Sequence, residues 1–297
     1  MKHLWKIRVI IEKLDQQVKR KDSYMKIKVV INIAIERTLA LIEYAGYAVR
    51  FYLERFIKRK QFRKLKQFKN KYKGQRCFLI GNGPSLKIED VEKLKDEKTF
   101  VVNAFVKAMD ELSFKPTFYG IIDGECMDLF GDAILECGIE NIFFTNRHLK
   151  KQNYKYLQGI NAHEYPQMQT GKRIYCFSNI PAGFSEDITK NVYWGYTVVY
   201  SMLQIINYMG FKDVYLLGMD CAYKPGEKCF KDQRSAEQIS KGKYAGKNGA
   251  VDKFIVSYEK VNEYSAHHEM NIYNATRGGM LEVFPRIDLD EILKEIG

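Results

Sequence analysis

The sequence predicts an α/β protein: a Rossmann-like, mostly parallel sheet flanked by helices, with an N-terminal basic helical extension. Three observations predict it. From residue 76 onward, short apolar runs alternate with segments of helical pattern, the signature of strands joined by helical crossovers. Polar and glycine residues stand where most of these runs end, the edge at which open parallel sheets bind ligands. Charge also divides the chain. Residues 1–75 hold 21 Lys and Arg against 6 Asp and Glu, a balance of +15, whereas the remainder holds 27 against 30, a balance of −3. The division predicts a basic amphipathic helical arm over 1–74 and a catalytic domain over 75–297.

Within the arm, the stretch from Val29 to Ile57 is rich in Ile, Val, Leu, Ala, Tyr and Phe. Its charges Glu36, Glu43 and Arg50 recur every seven residues, in one narrow stripe of a helix. The broad apolar surface left over must meet an anionic membrane surface, its own domain or a second copy in a homo-oligomer, in that order of preference. The run from Lys58 to Lys73 adds dense positive charge suited to anionic head groups. No RNA- or DNA-binding module accompanies the charge, so nucleic acid is not the expected partner.

The elements follow in order. Cys77–Ile80 reads as a buried strand and breaks into Gly81-Asn82-Gly83-Pro84-Ser85. Ile88–Asp96 reads as a short helix, Thr99–Asn103 as a strand, Val106–Leu112 as a short helix, and Thr117–Ile122 as a strand ending at Asp123-Gly124-Glu125. Asn141–Thr145 is the next strand, ending at Asn146, and 150–190 reads as loops or a lid. Thr197–Met209 is a helix, Asp213–Leu217 a strand ending at Gly218-Met219-Asp220, and Lys224–Gly249 a polar loop. Val251–His267 closes the helical pattern, and Asn271–Asn274 is the last strand before Ala-Thr-Arg277-Gly-Gly.

The turn after the first strand carries the most chemistry. Gly81 and Gly83 allow close approach of a ligand to the backbone. Pro84 suits a first helical turn, and Ser85 can cap it or donate to a ligand. The turn is neither G-x-G-x-x-G nor a Walker sequence, and a ligand-free strand-to-helix turn is its plainer reading. Six cysteines without a CxxC pair read as reduced, buried thiols of a cytoplasmic protein, and no signal-peptide or membrane-spanning pattern stands out.

These motifs resemble two related groups. Gly81-Asn-Gly-Pro-Ser-Leu86 resembles the nucleotide-binding turn of the family 42 bacterial sialyltransferases, and the span from Gly195 to Asp220 resembles their helix, strand and Gly-x-Asp turn. Together with Ile272-Tyr-Asn-Ala-Thr-Arg-Gly-Gly279 they are similar to the motility accessory factors and archaeal hydroxymethylpterin pyrophosphokinases. The resemblance spans about residues 76–290. It implies a Rossmann-like fold and, for most bacterial members, transfer of a nonulosonic acid from a CMP-activated donor to a glycan acceptor, with no metal cofactor.

On that reading the cradle for the nucleotide is the Gly81–Gly83 amides with Ser85, and Asn103 and Asp123 bind the cytidine and ribose. Thr197, Gly218, Asp220, Asn274 and Arg277 complete the binding set from neighbouring strand and helix ends. Tyr193 and Tyr196 stand where the resembling enzymes place tyrosine hydroxyls on the leaving phosphate. Their Tyr-x-Gly-His segment corresponds to Tyr244-Ala245-Gly246-Lys247, so a lysine replaces the base. Lysine's ordinary pKa of about 10.4 makes it a poor base. His163, His148 and the carboxylates of Asp123 and Asp220 therefore stand beside Lys247 as candidates. Asp123 with Glu125 could hold Mg²⁺ if the protein is instead an ATP-dependent pterin pyrophosphokinase. A non-catalytic nucleotide-sugar-binding protein is the third reading. The arm places the expected protein at the inner face of the cell membrane.

Overall fold

The structure is a computed structural model, which describes residues 23–122, 124–145, 162–168, 183–221, 230 and 248–294. It divides into two compact units, residues 1–57 with 168–180, and residues 58–167 with 181–297.

Apart from Met168, the described part of the first unit is a single long helix, α1 (Ser23–Ile57). No helix among the described residues is long and apolar enough to cross a membrane.

The second unit is built on a seven-stranded sheet in the order β5-β4-β3-β2-β1-β8-β9. The strands are β1 (Arg76–Ile80), β2 (Thr99–Val102), β3 (Phe118–Ile121), β4 (Asn141–Phe144), β5 (Ala162–Glu164), β8 (Asp213–Leu217) and β9 (Asn271–Asn274). Every pairing is parallel. A second small sheet pairs β6 (Gln167–Met168) with β7 (Val192–Tyr193).

Parallel strands buried on both faces read as near-continuous apolar runs, as Cys77–Ile80, Phe100–Val102 and Phe118–Ile121 do. Their period of two sends Cys77, Leu79, Phe100, Val102, Phe118 and Phe143 into one core, and Phe78, Ile80, Val101, Tyr119, Ile121 and Phe144 into the other. The first core is closed by α5 (Val198–Tyr208) and by Tyr258 and Val261 of α6 (Asn248–Ser265). Val91 of α3 (Ile88–Glu92), Met127 and Ile134 of α4 (Gly124–Glu136) and Ile292 of α7 (Leu289–Lys294) close the second. The expected Rossmann-like class is what the chain adopts.

The basic run after α1 belongs to this second unit. It forms α2 (Arg59–Arg63) and a 3-10 turn (Lys64–Phe68), which bury Phe62, Leu65 and Phe68. The Phe68 ring meets Phe143 edge-on with centroids 5.1 Å apart, and Tyr72 stacks on Phe211 at 4.9 Å. Lys58 Nζ and Gln61 Nε2 both donate to the buried Glu164 carboxylate at the end of β5, at 2.5 and 2.6 Å.

Several elements depart from the expected pattern, and α4 and α7 stand where no helix was expected. The helix expected at Val106–Leu112 is a 3-10 segment beginning at Asn103. The region 150–190, expected as loops or a lid, contributes β5 and β6. Ala162-His-Glu164 has no apolar run, so only its pairing with β4 makes it a strand. The loop expected over 224–249 lies almost wholly outside the described residues.

Candidate active site

The strand order reverses at β1: β2 to β5 run out on one side, and β8 and β9 on the other. In open parallel sheets, the crevice beyond the carboxyl ends at such a reversal is where ligands bind. The loops leaving β1 and β8 are Gly81–Ser85 and Gly218–Asp220, so the reversal brings the two motifs together.

The contact between them is close. Gly81 N–H donates to Leu217 O, and Gly83 N–H donates to Gly218 O, both at 2.8 Å. Ser85 Oγ donates to the buried Asp220 carboxylate at 2.9 Å. A Cβ on Gly81 would stand 2.7 Å from Gly218 O, and one on Gly83 would fall within the contact radius of Asp220 Oδ2. The glycines are therefore required by packing against the β8 loop. Two of the amides expected in a phosphate cradle are already committed. Among the described residues, the N–H groups of Asn82 and Ser85 donate to no carbonyl.

Asn82 and Asn103 sit two residues beyond the registered pair Ile80 and Val101, on the tips of adjacent strands. Asn82 Nδ2 donates to Val102 O at 2.8 Å, which fixes the amide and turns Oδ1 the other way. Asn103 adopts a left-handed backbone, φ 48°, and its carbonyl accepts from the Tyr119 hydroxyl. The Oδ1 atoms of both asparagines are buried and have no hydrogen-bond partner among the described residues. Burying an acceptor unpaired costs about 1–3 kcal/mol, so both oxygens stand open to a donor.

A third loop braces the first two. Asn274 is fully engaged with backbone, donating to Leu281 O at 2.7 Å and accepting from Thr276 N at 3.0 Å. Met280 N–H donates to Asp220 O at 2.6 Å, and Gly279 packs on the Asp220 backbone. Arg277 makes the bidentate carboxylate contact its position suggested, but with Asp90 of α3. That hydrogen bond first, and the guanidinium charge with it, holds the Asp90 carboxyl below its usual range. Arg286, which the sequence did not single out, donates to the carbonyls of Thr276, Gly278 and Gly279.

The tyrosines lie at the entry to α5. Thr197 is its N-cap, the hydroxyl accepting from Val199 N at 3.4 Å. Tyr196 is buried with φ 65°, and its ring stands edge-on to Trp194 at 5.3 Å. Tyr193 is half-buried, its ring against Gly183. The buried Gln204 holds this entry, accepting from Ser185 N and Tyr193 N and donating to Tyr193 O and Tyr200 O at 2.9–3.1 Å. Its helical run looks like core, so nothing in the sequence marked it.

Of the base candidates, His163 sits in β5 between the Phe68 and Phe143 rings, at 4.7 and 5.4 Å. Burial first, then Lys71 and Lys64, pushes its pKa down to about 4. The Asp220 carboxylate is engaged by Ser85, and its backbone carbonyl by Met280 N–H. Cys221, beside it, is a buried thiol pushed up to about 12 by burial and then by Asp220. Lys247, His148 and Asp123 lie outside the described residues, as does the Glu125 side chain. Among the described residues, no cluster of His, Cys, Asp and Glu could hold a metal ion.

Fold and site together define a doubly wound α/β protein with its candidate site at the strand-order reversal. The chain belongs to the MptE-like family, whose model, described as 6-hydroxymethylpterin diphosphokinase MptE-like, matches residues 52–226. No curated protein sequence matches the chain. The solved structures similar to the chain include two glycosyltransferases. One is the MAf glycosyltransferase from Magnetospirillum magneticum AMB-1, at 14% identity and TM-score 0.48, covering 78% of this chain and 38% of that one. The other is the sialyltransferase CstII from Campylobacter jejuni in complex with the substrate analogue cytidine-5'-monophosphate, at 18% identity and TM-score 0.45, covering 72% and 85%. This chain thus spans well under half the length of the MAf glycosyltransferase.

Proposed function

We propose that the protein is a glycosyltransferase that moves a sialic-acid-like sugar from a CMP-activated donor to a surface glycan or glycolipid. It works peripherally at the inner face of the cell membrane. The observation that carries the reading is the pair of buried, unpartnered Oδ1 atoms of Asn82 and Asn103 beside the glycine turn. Carbonyl oxygens repel phosphate and call for N–H or O–H groups, which a nucleoside's hydroxyls and amino group supply. The phosphate then takes the N–H groups of Asn82 and Ser85. In the transfer, the bond from the sugar's anomeric carbon to the phosphate oxygen breaks with its electrons leaving on CMP. A bond to the acceptor hydroxyl forms, and the hydroxyl proton passes to a base. Tyr193 and Tyr196 are assigned to the departing phosphate, and Lys247, His148 and Asp123 stand as candidates for the base.

The family description favours a second reading, pyrophosphoryl transfer from ATP with Mg²⁺ to a pterin. Thermal-shift measurements with CMP, UDP, GDP and ATP, each with and without Mg²⁺, separate the two. A ligand at 100 times its dissociation constant adds about 2.7 kcal/mol of stability. Stabilisation by CMP without metal is the expected result. Stabilisation by ATP only with Mg²⁺, and none by CMP, transfers the assignment to the second reading.

A further inference from the structure

Helix α1 exposes eleven large apolar side chains between Val30 and Ile57. At about 100° per residue they fall within one half of the helix circumference. Ile31, Ile35, Ile42, Val49, Leu53 and Phe56 form its central line, and each is at least half exposed. All six charged residues of 29–57 lie on the other half. Two hydroxyls lie on the apolar half, the Tyr52 phenol and Thr38, and Thr38 donates back to Ala34 O at 2.8 Å. The face is therefore continuous for some 40 Å at about 1.5 Å per residue. Nothing this broad and uncharged is left in water without an occupant.

We propose that α1 lies in the plane of an anionic membrane, its apolar half among the acyl chains and its charged half at the head groups. Two observations choose lipid over a second copy of the chain. The apolar arc spans half the helix, wider than the seam a single partner helix covers, whereas acyl chains fill an arc of any width. The sixteen residues that follow, Lys58 to Lys73, hold nine Lys and Arg and no Asp or Glu. Lys60, Arg63, Lys64, Lys66 and Lys69 among them are exposed. Such a run attracts phosphatidylserine-type head groups and repels the same run on a second copy. This names the partner of the preceding reading, on which it rests for the membrane-side acceptor.

The test uses the full chain with vesicles of phosphatidylcholine alone or mixed with phosphatidylserine. The wild type is expected to co-sediment with the mixed vesicles. The pair Ile42→Glu and Leu53→Glu is expected to weaken partitioning tenfold or more, with unfolding temperature and CMP-induced shift unchanged. Glu43→Gln, on the charged half, leaves partitioning unaltered. A tryptophan replacing Ile42 is quenched by brominated acyl chains, and one replacing Glu43 is not. Equal quenching at 42 and 43, or full partitioning of the doubly substituted chain, overturns the proposal. So does a wild type that ignores vesicles and forms an oligomer dissolved by the same substitutions. A missing CMP shift with lipid binding intact sinks the transferase reading and leaves this one standing.

Discussion

At the scale of single residues, the site is held by atoms that leave no room for alternatives. Gly83 illustrates this, because a methyl group there would press on the Asp220 carboxylate that Ser85 needs. Gly83→Ala is expected to lower stability by about 2 kcal/mol and to abolish the nucleotide-induced thermal shift. A variant that keeps both would show that the two loops separate freely. His163 makes a different point. Its ring is neutral in the folded chain down to about pH 4, whereas the unfolded chain takes up a proton near 6.5. The unfolded state binds the extra proton in that window, so stability falls as pH drops from 6.5 towards 4. Asp90, held below its usual range by Arg277, acts in the same direction at the acid end, its contribution being lost as pH falls. Urea unfolding at several pH values should show the slope, and His163→Phe should flatten its upper part. Discounted for partial solvation, the effect of His163 is on the order of 1–2 kcal/mol.

Elements show where local preference and tertiary context part company. The buried Gln204 on α5 serves four backbone groups, the N–H of Ser185, the N–H and carbonyl of Tyr193 and the carbonyl of Tyr200. Gln204→Leu keeps the volume and removes the partners, so denaturant unfolding should register a loss of about 2–4 kcal/mol. The same position read from sequence is one polar letter in an apolar helix, and nothing announces that it organises the Tyr193–Tyr196 entry. Helix α1 is the opposite case. Its pattern alone fixed both the helix and its charged stripe, since Glu36, Glu43 and Arg50 are spaced for one side of it. Gly46 has open space around its would-be Cβ. Gly46→Ala should therefore raise the stability of α1 by about 0.5–1 kcal/mol, read as slower amide exchange within the helix.

For the whole molecule, the two cores give a test of where the α/β unit starts. Among the described residues, neither contains one before Leu65, and Phe62, Leu65 and Phe68 are all buried. A chain beginning at Lys58 is expected to unfold cooperatively in calorimetry. One beginning at Gln75 loses three buried apolar side chains, worth at least about 5 kcal/mol together, and should unfold well below it. Equal midpoints for the two would show that the 58–74 segment only coats the surface.

The sequence by itself determined the class of fold, most of the strands and the glycine loops that end them, because buried parallel strands and glycine turns are written in local composition. It also determined that α1 is amphipathic, since that is a matter of spacing along one helix. Only the tertiary structure decided that β8 lies beside β1, which sets the Gly81–Ser85 and Gly218–Asp220 loops against each other across 135 residues. It alone turned Asn274, Arg277 and Asp220 into braces and left Asn82 and Asn103 with open oxygens. The physical reason is that hydrogen bonds between distant loops depend on strand order, and strand order is fixed by how helices pack over the sheet, which no local pattern encodes.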